Sequence, residues 1–129
     1  MNGPSGRDLS SGFPRRRRLL TPREFSTVFK RNVRSTDRLF TVLAHRRSEL
    51  ATSGHARLGT AVARKACGNA VKRNRLKRVI KESFRQTCAA LPSVDLVVIV
   101  KPGAGKIANP ALFASLEKHW QVITKKCAR

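Results

Sequence analysis

Hydrophobic residues recur along the chain at two different spacings, and each spacing predicts one kind of element. In residues 21–31 the apolar positions Phe25, Val28 and Phe29 are three and four residues apart, as on one face of a helix. The start of this segment is marked by the sequence T-P-R-E at residues 21–24. Threonine can cap a helix, proline suits the first helical position, and glutamate stands three residues after the cap. The pattern therefore predicts a short first helix.

Alternation of apolar and polar residues predicts three strands after this helix, at residues 33–35, 39–44 and 57–65. The middle strand places one set of side chains on each face: Phe40, Val42 and Ala44 on the first, and Leu39, Thr41 and Leu43 on the second. The third strand has one face made only of small residues: Gly59, Ala61 and Ala63. Such a shallow face either lets a helix pack closely or forms the floor of a groove, and the sequence allows both.

A second helical pattern begins at a Gly68-Asn69 turn, where asparagine occupies the capping position. Its apolar face consists of Leu76, Val79, Ile80 and Phe84. Residues 95–100 (DLVVIV) form a continuous apolar run, which predicts a strand covered on both faces. Asn109-Pro110 then repeats the signal for a helix start. The apolar face of this last helix consists of Leu112, Phe113, Leu116, Trp120 and Ile123.

The predicted order is α-β-β-β-α-β-α, so the fold class is α+β, with about four strands in a small mixed sheet and three helices. At 129 residues the chain fits one domain. The Gly-, Ser- and Pro-rich residues 1–12 are predicted to be a disordered tail, which leaves residues 13–129 as the domain. The third strand, the second helix and the last strand form a possible βαβ unit, which is normally right-handed.

Charge indicates the kind of partner. The chain has 28 basic and 7 acidic residues, a formal net charge of +21. Self-repulsion of this size opposes a compact fold, and a polyanion is the natural counterweight. Nucleic acid is the leading candidate. An anionic membrane is a weaker one, because no long apolar segment is present.

The three cysteines do not indicate a disulfide framework or a zinc site. Cys67, Cys88 and Cys127 are odd in number and have no CxxC spacing. The first residues have no apolar run of the kind found in signal peptides. These observations favour a reducing compartment, the cytoplasm.

The basic residues are concentrated in residues 63–85, which hold nine Lys or Arg and one acid, Glu82. Lys72, Arg73 and Arg75 fall in the first turns of the second helix, where the helix dipole disfavours cations. Such crowding indicates that an anion binds there, since a helix N-terminus with several guanidinium groups is a good phosphate site. The alternative is a solvated helix face, but such faces usually mix the two signs. Arg73 also lies on the apolar stripe, so either the first turns project beyond the core or Arg73 lines a groove.

Phe25 and Phe29 on the first helix have two possible roles. The plain role is core packing. The functional one is that their rings border a groove and stack on unpaired bases, which contributes roughly 1–3 kcal/mol per base.

The central motif resembles the signature of the bacterial ribonuclease P protein subunit. It has the form Lys65-x-x-Gly68-Asn69-Ala70-Val71-x-Arg73-Asn74-Arg75-x-Lys77-Arg78. The flanking segments FPRRRRLLTPREFSTVF, RLGTAVARK and DLVVIVK also agree with that family. The resemblance covers about residues 13–123.

This resemblance implies a protein that assists a catalytic RNA, which removes the 5′ leader of precursor tRNA with magnesium bound mainly by the RNA. One protein would pair with one RNA subunit, without a membrane partner and without catalytic or metal-binding residues of its own. The residues that would bind the RNA subunit are Lys65, Lys72, Arg73, Asn74, Arg75, Lys77, Arg78 and Lys81. The residues that would line the leader-binding cleft are Phe25, Phe29, Phe40, Arg64 and Lys65. The resemblance also implies a two-layer sandwich of the kind seen in ribosomal proteins, with a left-handed βαβ crossover in place of the usual right hand.

Two other functions are compatible with parts of the sequence. A structural RNA-binding protein of the ribosome would share the charge and the fold. A protein-only nuclease is poorly supported, because the seven acids and three histidines form no H-x-x-x-H or D-x-D cluster suited to two-metal cleavage. Acids that are distant in sequence can still converge in space.

Overall fold

The predicted order of elements is confirmed in the computed structural model, which describes residues 22–46, 56–63, 68–88, 91 and 94–127. The helices of this part of the chain are α1 (Pro22–Lys30), α2 (Ala70–Thr87) and α3 (Asn109–Cys127), with a 3-10 turn at Ala104–Lys106. The strands are β1 (Val33–Thr36), β2 (Phe40–Arg46), β3 (Arg57–Ala61) and β4 (Val94–Val100). The predicted tail at residues 1–12 and the Thr21 cap lie outside the described residues.

The four described strands form one mixed sheet in the order β1-β2-β4-β3. β2 is antiparallel to both β1 and β4, whereas β3 is parallel to β4, so β3, α2 and β4 form the predicted βαβ unit. β3 ends at Ala61, earlier than the predicted residue 65. The next described carbonyl oxygen, that of Val62, accepts a hydrogen bond from Arg73 Nε of α2 at 2.7 Å.

The main core lies between one face of the sheet and the helices α2 and α3. Its largest fully buried side chains include Trp120, Phe84 and Phe40, and the rings of Phe84 and Trp120 meet edge to face at 6.1 Å. The indole Nε1 of Trp120 donates to Ser83 Oγ at 2.8 Å, so the only polar atom of this ring is satisfied. Trp120 is therefore a packing residue, as its spacing predicted.

The opposite face of the sheet is covered by α1. Val28 of α1 packs there on Leu43 and Val97, and all three are buried. β4 is thus covered on both faces, as its apolar run predicted, and only Ile99 is half-exposed.

A polar network joins the β1–β2 turn to α3 beneath the main core. The carboxylate of Asp37 accepts hydrogen bonds from the backbone N–H groups of Leu39 and Phe40 and from Ser115 Oγ. His119 is 3 % exposed, with Nδ1 2.6 Å from Ser35 Oγ and Nε2 3.2 Å from Asp37 Oδ2. Burial alone would raise the pKa of Asp37, but these hydrogen bonds and His119 outweigh it and lower the pKa from 3.8 to about 2.

This network should make stability depend on pH at the acid end. Because the pKa of Asp37 is lower in the folded state, its contribution is complete above about pH 4 and is lost as the pH falls through about 2. Because 37 % of the Asp37 side chain is exposed, solvent weakens these interactions, and we expect Asp37 to contribute about 1 kcal/mol to the free energy of unfolding. Urea unfolding of the wild type and Asp37→Asn should differ by that amount near neutral pH and converge at the acid end. A constant difference would mean that the carboxylate charge does not contribute.

Candidate nucleic-acid interface

The start of α2 is built as the sequence predicted. Gly68 has a φ of +102°, a conformation that residues with a side chain rarely adopt, and the extended Asn69 follows it. Asn69 Oδ1 accepts the backbone N–H of Lys72 at 2.9 Å, which satisfies one of the free donors of the first turn. Val71 is 76 % exposed, whereas Leu76 is fully buried. The first turn of α2 therefore projects beyond the core.

A hydrogen bond holds one edge of the Arg73 guanidinium group. Its Nε donates to the carbonyl oxygen of Val62, at the end of β3. The two terminal nitrogens point away from this bond because the group is planar, and they form the edge that binds phosphate in a bidentate manner. Arg73 therefore joins α2 to the sheet and presents donors beyond it.

Arg75 is bound more completely within the protein. Its Nη1 donates to the carbonyl oxygen of Ile107 at 3.1 Å and to Asn109 Oδ1 at 2.6 Å, and its Nη2 donates to the carbonyl oxygen of Gly105 at 2.8 Å. These acceptors lie in the connection from β4 to α3. The crowding of cations that suggested a bound anion is thus partly relieved by carbonyl dipoles of the protein itself.

The other predicted RNA-binding residues of α2 surround this start. Arg78 and Asn74 are exposed, and Lys72, Lys77 and Lys81 are half-buried. Within the described residues, Arg78 makes no hydrogen bond or ion pair, and Glu82 pairs with Arg85 at 2.6 Å instead. Lys65 and Arg64 lie outside the described residues.

α1 leaves part of its face of the sheet accessible, and this strip beside α1 is called the groove. Cross-strand pairing places four residues in one row across the sheet: Thr36, Thr41, Ile99 and Ala61. All four are half-buried or exposed, whereas Leu43 and Val97 in the next row are buried beneath α1. This row is the floor of the groove.

Phe25 and Phe29 both lie on α1, and Phe25 belongs to the same hydrophobic cluster as Ala61 and Ile99 of this floor. Phe25 is half-buried and packs, like the floor residues, against the buried cluster of Val28, Leu43 and Val97, so its role includes packing. Phe29 is 48 % exposed and is the more accessible ring. The shallow face of β3 places Ala61 in this row, whereas Gly59 of the same face is buried in the row of Leu43 and Val97.

The prediction that Phe40 lines the cleft is wrong. Phe40 is fully buried in the main core, where its ring meets that of His119 edge to face at 6.4 Å. Alternation along β2 places Phe40 on the face opposite α1, and its neighbour Thr41 occupies the groove. The sequence contained that alternation, but it did not show on which face of the sheet α1 packs.

An ion-pair network that the sequence analysis missed holds α1 on the sheet. Arg57 of β3 donates from Nε and Nη2 to the two carboxylate oxygens of Asp95, each at 2.8 Å, and from Nη1 to Glu24 Oε2 of α1 at 2.8 Å. The hydrogen bond with Asp95 raises the pKa of Arg57 above its ordinary value, against the effect of burial. Glu24 and Asp95 are thus two acids that are distant in sequence but close in space, and both bind Arg57.

Several acids and histidines of the described residues make structural contacts. His119 and Ser35 are buried beneath the sheet, so this imidazole cannot reach a phosphodiester, and the partly exposed Asp37 is bound by Ser115 and two backbone N–H groups. No group of three His, Cys, Asp or Glu side chains in these residues is arranged as a metal site. None of the described helices is long and apolar enough to span a membrane.

Comparison with known proteins agrees on one family. The model of the family described as Ribonuclease P matches residues 13–124. The ribonuclease P protein component of Methylococcus capsulatus is 45 % identical over 117 residues, which cover 91 % of this chain and 88 % of that protein. The corresponding protein of Yersinia pestis is 47 % identical over 109 residues, covering 84 % and 88 %.

Solved structures show the same similarity. The RNase P protein of Staphylococcus aureus has a TM-score of 0.74 at 31 % identity, covering 84 % of this chain and 95 % of that one. The RNase P protein of Thermotoga maritima has a TM-score of 0.71 at 28 % identity, covering 82 % and 96 %.

Proposed function

This chain belongs to the ribonuclease P protein family, and on that basis we propose that the start of α2 docks on the RNA subunit while the groove beside α1 holds the 5′ leader of precursor tRNA. The chain is the protein component of the ribonucleoprotein endonuclease that matures the 5′ end of tRNA, and it works with the RNA subunit of that enzyme. The proposal adds three things: the binding of the precursor leader, the residues that contact each RNA, and the place where magnesium binds.

The observation that supports the proposal is that the start of α2 and the groove lie next to each other. Ala61 of the groove floor directly precedes Val62, and the carbonyl oxygen of Val62 holds Arg73 at the start of α2. A single strand that leaves an RNA bound at α2 therefore enters the groove at Ala61 and runs across the sheet toward Thr36 of β1.

The chemistry of the groove suits an unpaired strand of any sequence. Phe29 offers a ring for base stacking, which does not depend on base identity. Thr36 and Thr41 share one hydrogen bond of 2.8 Å between their hydroxyl oxygens, which leaves a second hydroxyl hydrogen and several lone pairs for ribose and phosphate. At the entrance, the terminal nitrogens of Arg73 bind phosphate. Contacts of these kinds position a strand and do not read its sequence.

Magnesium belongs, in this proposal, to the RNA. Mg²⁺ keeps several waters and binds phosphate oxygens readily, whereas the described acids Glu24 and Asp95 are engaged by Arg57. The protein lowers the repulsion between the RNA subunit and its substrate, which assists both substrate and magnesium binding. We place one protein on one RNA, in the cytoplasm, where the free thiols Cys88 and Cys127 are stable.

Phe29→Ala tests the leader groove. Phe29 already has about half of its surface covered, so we expect the holoenzyme to lose about 1 kcal/mol in affinity for leader-bearing precursor tRNA, the lower end of the stacking range. Affinity for mature tRNA should not change, because it has no leader. Val122→Ala on α3, which removes another exposed apolar side chain, is the matched control and should affect neither. Equal losses for precursor and mature tRNA would make Phe29 a packing residue.

A further inference from the structure

A second basic concavity opens at the end of the sheet away from the start of α2. It has a volume of about 250 Å³, and its lining includes Arg31, Asn32, His45, Arg46, Lys126 and Cys127. Arg31 follows α1, Arg46 ends β2 and Lys126 lies in the last turn of α3. Three segments that are distant in sequence thus bring three cations to one pocket, and none of the described residues that line it is acidic.

The local structure holds these cations together. His45 Nδ1 donates to the carbonyl oxygen of Arg31 at 3.1 Å, which ties the end of α1 to β2. Lys126 Nζ donates to the carbonyl oxygen of Arg34 at 2.6 Å and keeps two further N–H groups. Arg46 lies close enough to Cys127 for its charge to oppose the burial that raises the pKa of this thiol.

Two carbonyl groups at the end of α1 already accept hydrogen bonds from Asn32. Asn32 Nδ2 donates to the carbonyl oxygens of Val28 and Phe29, at 2.7 and 3.1 Å. Arg31 and Arg46 are exposed and make no side-chain hydrogen bond or ion pair with any other described residue. Like charges gathered in a concavity attract an anion, and two guanidinium groups with an ammonium group suit a phosphate.

The position of the pocket indicates which phosphate group of a bound RNA strand it would contact. The groove floor ends at Thr36 on β1, and Val33 at the pocket is three residues away, about 10 Å along the strand. The exposed Arg34 lies on this edge strand, and the exposed Arg38 lies in the turn that follows it. The start of α2, by contrast, follows the far end of β3, so the pocket faces away from the surface proposed to dock on the RNA subunit.

We propose that this pocket binds a phosphodiester of the leader upstream of the nucleotides held in the groove. The strand enters at Ala61, crosses the four described strands to Thr36, and turns along β1 past Arg34 to Arg31, Arg46 and Lys126. This inference rests on the proposed function, because it extends the same path. It predicts that affinity grows with leader length beyond the groove. The four described strands are separated by three spacings of about 4.8 Å, about 14 Å in all, so roughly four nucleotides fill the groove.

The test uses the reconstituted holoenzyme and precursor tRNAs with leaders of about five and about ten nucleotides. The wild type should bind the longer leader about fivefold to tenfold more tightly. The double variant Arg46→Ala, Lys126→Ala should lose this gain and bind the short leader within about twofold of the wild type. Two controls accompany it. Lys118→Ala, Lys125→Ala removes two exposed cations of α3 outside the pocket and should retain the gain, as should the charge-preserving Arg46→Lys, Lys126→Arg.

Each other outcome overturns the inference in a recognisable way. If the double variant gains as much from the longer leader as the wild type does, the pocket does not contact the leader. If it weakens binding of the RNA subunit equally at every leader length, the pocket contacts that RNA instead. If the wild type binds a short-leader precursor more tightly than mature tRNA but gains no affinity from more nucleotides, the groove binds the leader and the pocket does not. No preference for any leader would overturn the proposed function itself.

Discussion

Arg57→Ala should destabilise the protein by about 3 kcal/mol and remove most of its affinity for the leader. The substitution leaves the 6 % exposed carboxylate of Asp95 without its bidentate partner and releases Glu24 of α1. Breaking a buried ion pair costs about 3–5 kcal/mol, and the lower end applies because about a quarter of the Arg57 and Glu24 side chains is exposed. Urea unfolding gives the stability. Binding of leader-bearing precursor tRNA by the holoenzyme gives the function.

Two variants separate this effect from the loss of one positive charge. Arg23→Ala removes an exposed arginine from α1 and should change stability by less than about 0.5 kcal/mol. Adding Asp95→Asn to Arg57→Ala should restore part of the stability, because it removes the buried charge that has lost its bidentate partner. Leader affinity should stay low in this double variant, since α1 still lacks its tie to β3. If Arg57→Ala were as stable as Arg23→Ala, the network would not hold α1 in place.

Arg75→Ala should destabilise the fold by about 2 kcal/mol, because three hydrogen bonds to the β4–α3 connection are lost. Arg78→Ala should leave stability unchanged, weaken binding of the RNA subunit by about 1 kcal/mol, and make its salt dependence shallower by about 0.7–0.9 in the logarithmic slope. The sequence alone placed both arginines among the phosphate contacts. The structure gives them different roles.

Arg75→Lys distinguishes charge from geometry. Lysine keeps the positive charge but cannot reproduce the three bonds of the planar guanidinium group. We therefore expect the salt slope of the wild type together with a loss of stability. The result that contradicts this division is an Arg75→Ala protein of full stability whose salt slope falls as far as that of Arg78→Ala. Arg75 would then bind phosphate directly.

Local signals predicted most of the fold. The Gly68-Asn69 turn, the apolar spacing of α2 and the run in β4 each depend on neighbours within a few residues, and the structure confirms all three. The motif around Arg73 also placed the chain in its family before any geometry was known. The prediction for Phe40 was wrong because it depended on which face of the sheet α1 covers. Alternation tells which side chains share a face, but not which helix covers that face.

The sequence by itself determined the order of elements, the cationic surface and the need for a polyanionic partner, because periodicity and charge are properties of neighbouring residues. Only the tertiary structure decided which residues meet across long separations. It placed Arg57 between Glu24 and Asp95, Arg75 on the β4–α3 connection, and the row from Thr36 to Ala61 beside α1. These contacts join elements that are tens of residues apart, and their geometry is fixed by how helices pack on the two faces of the sheet.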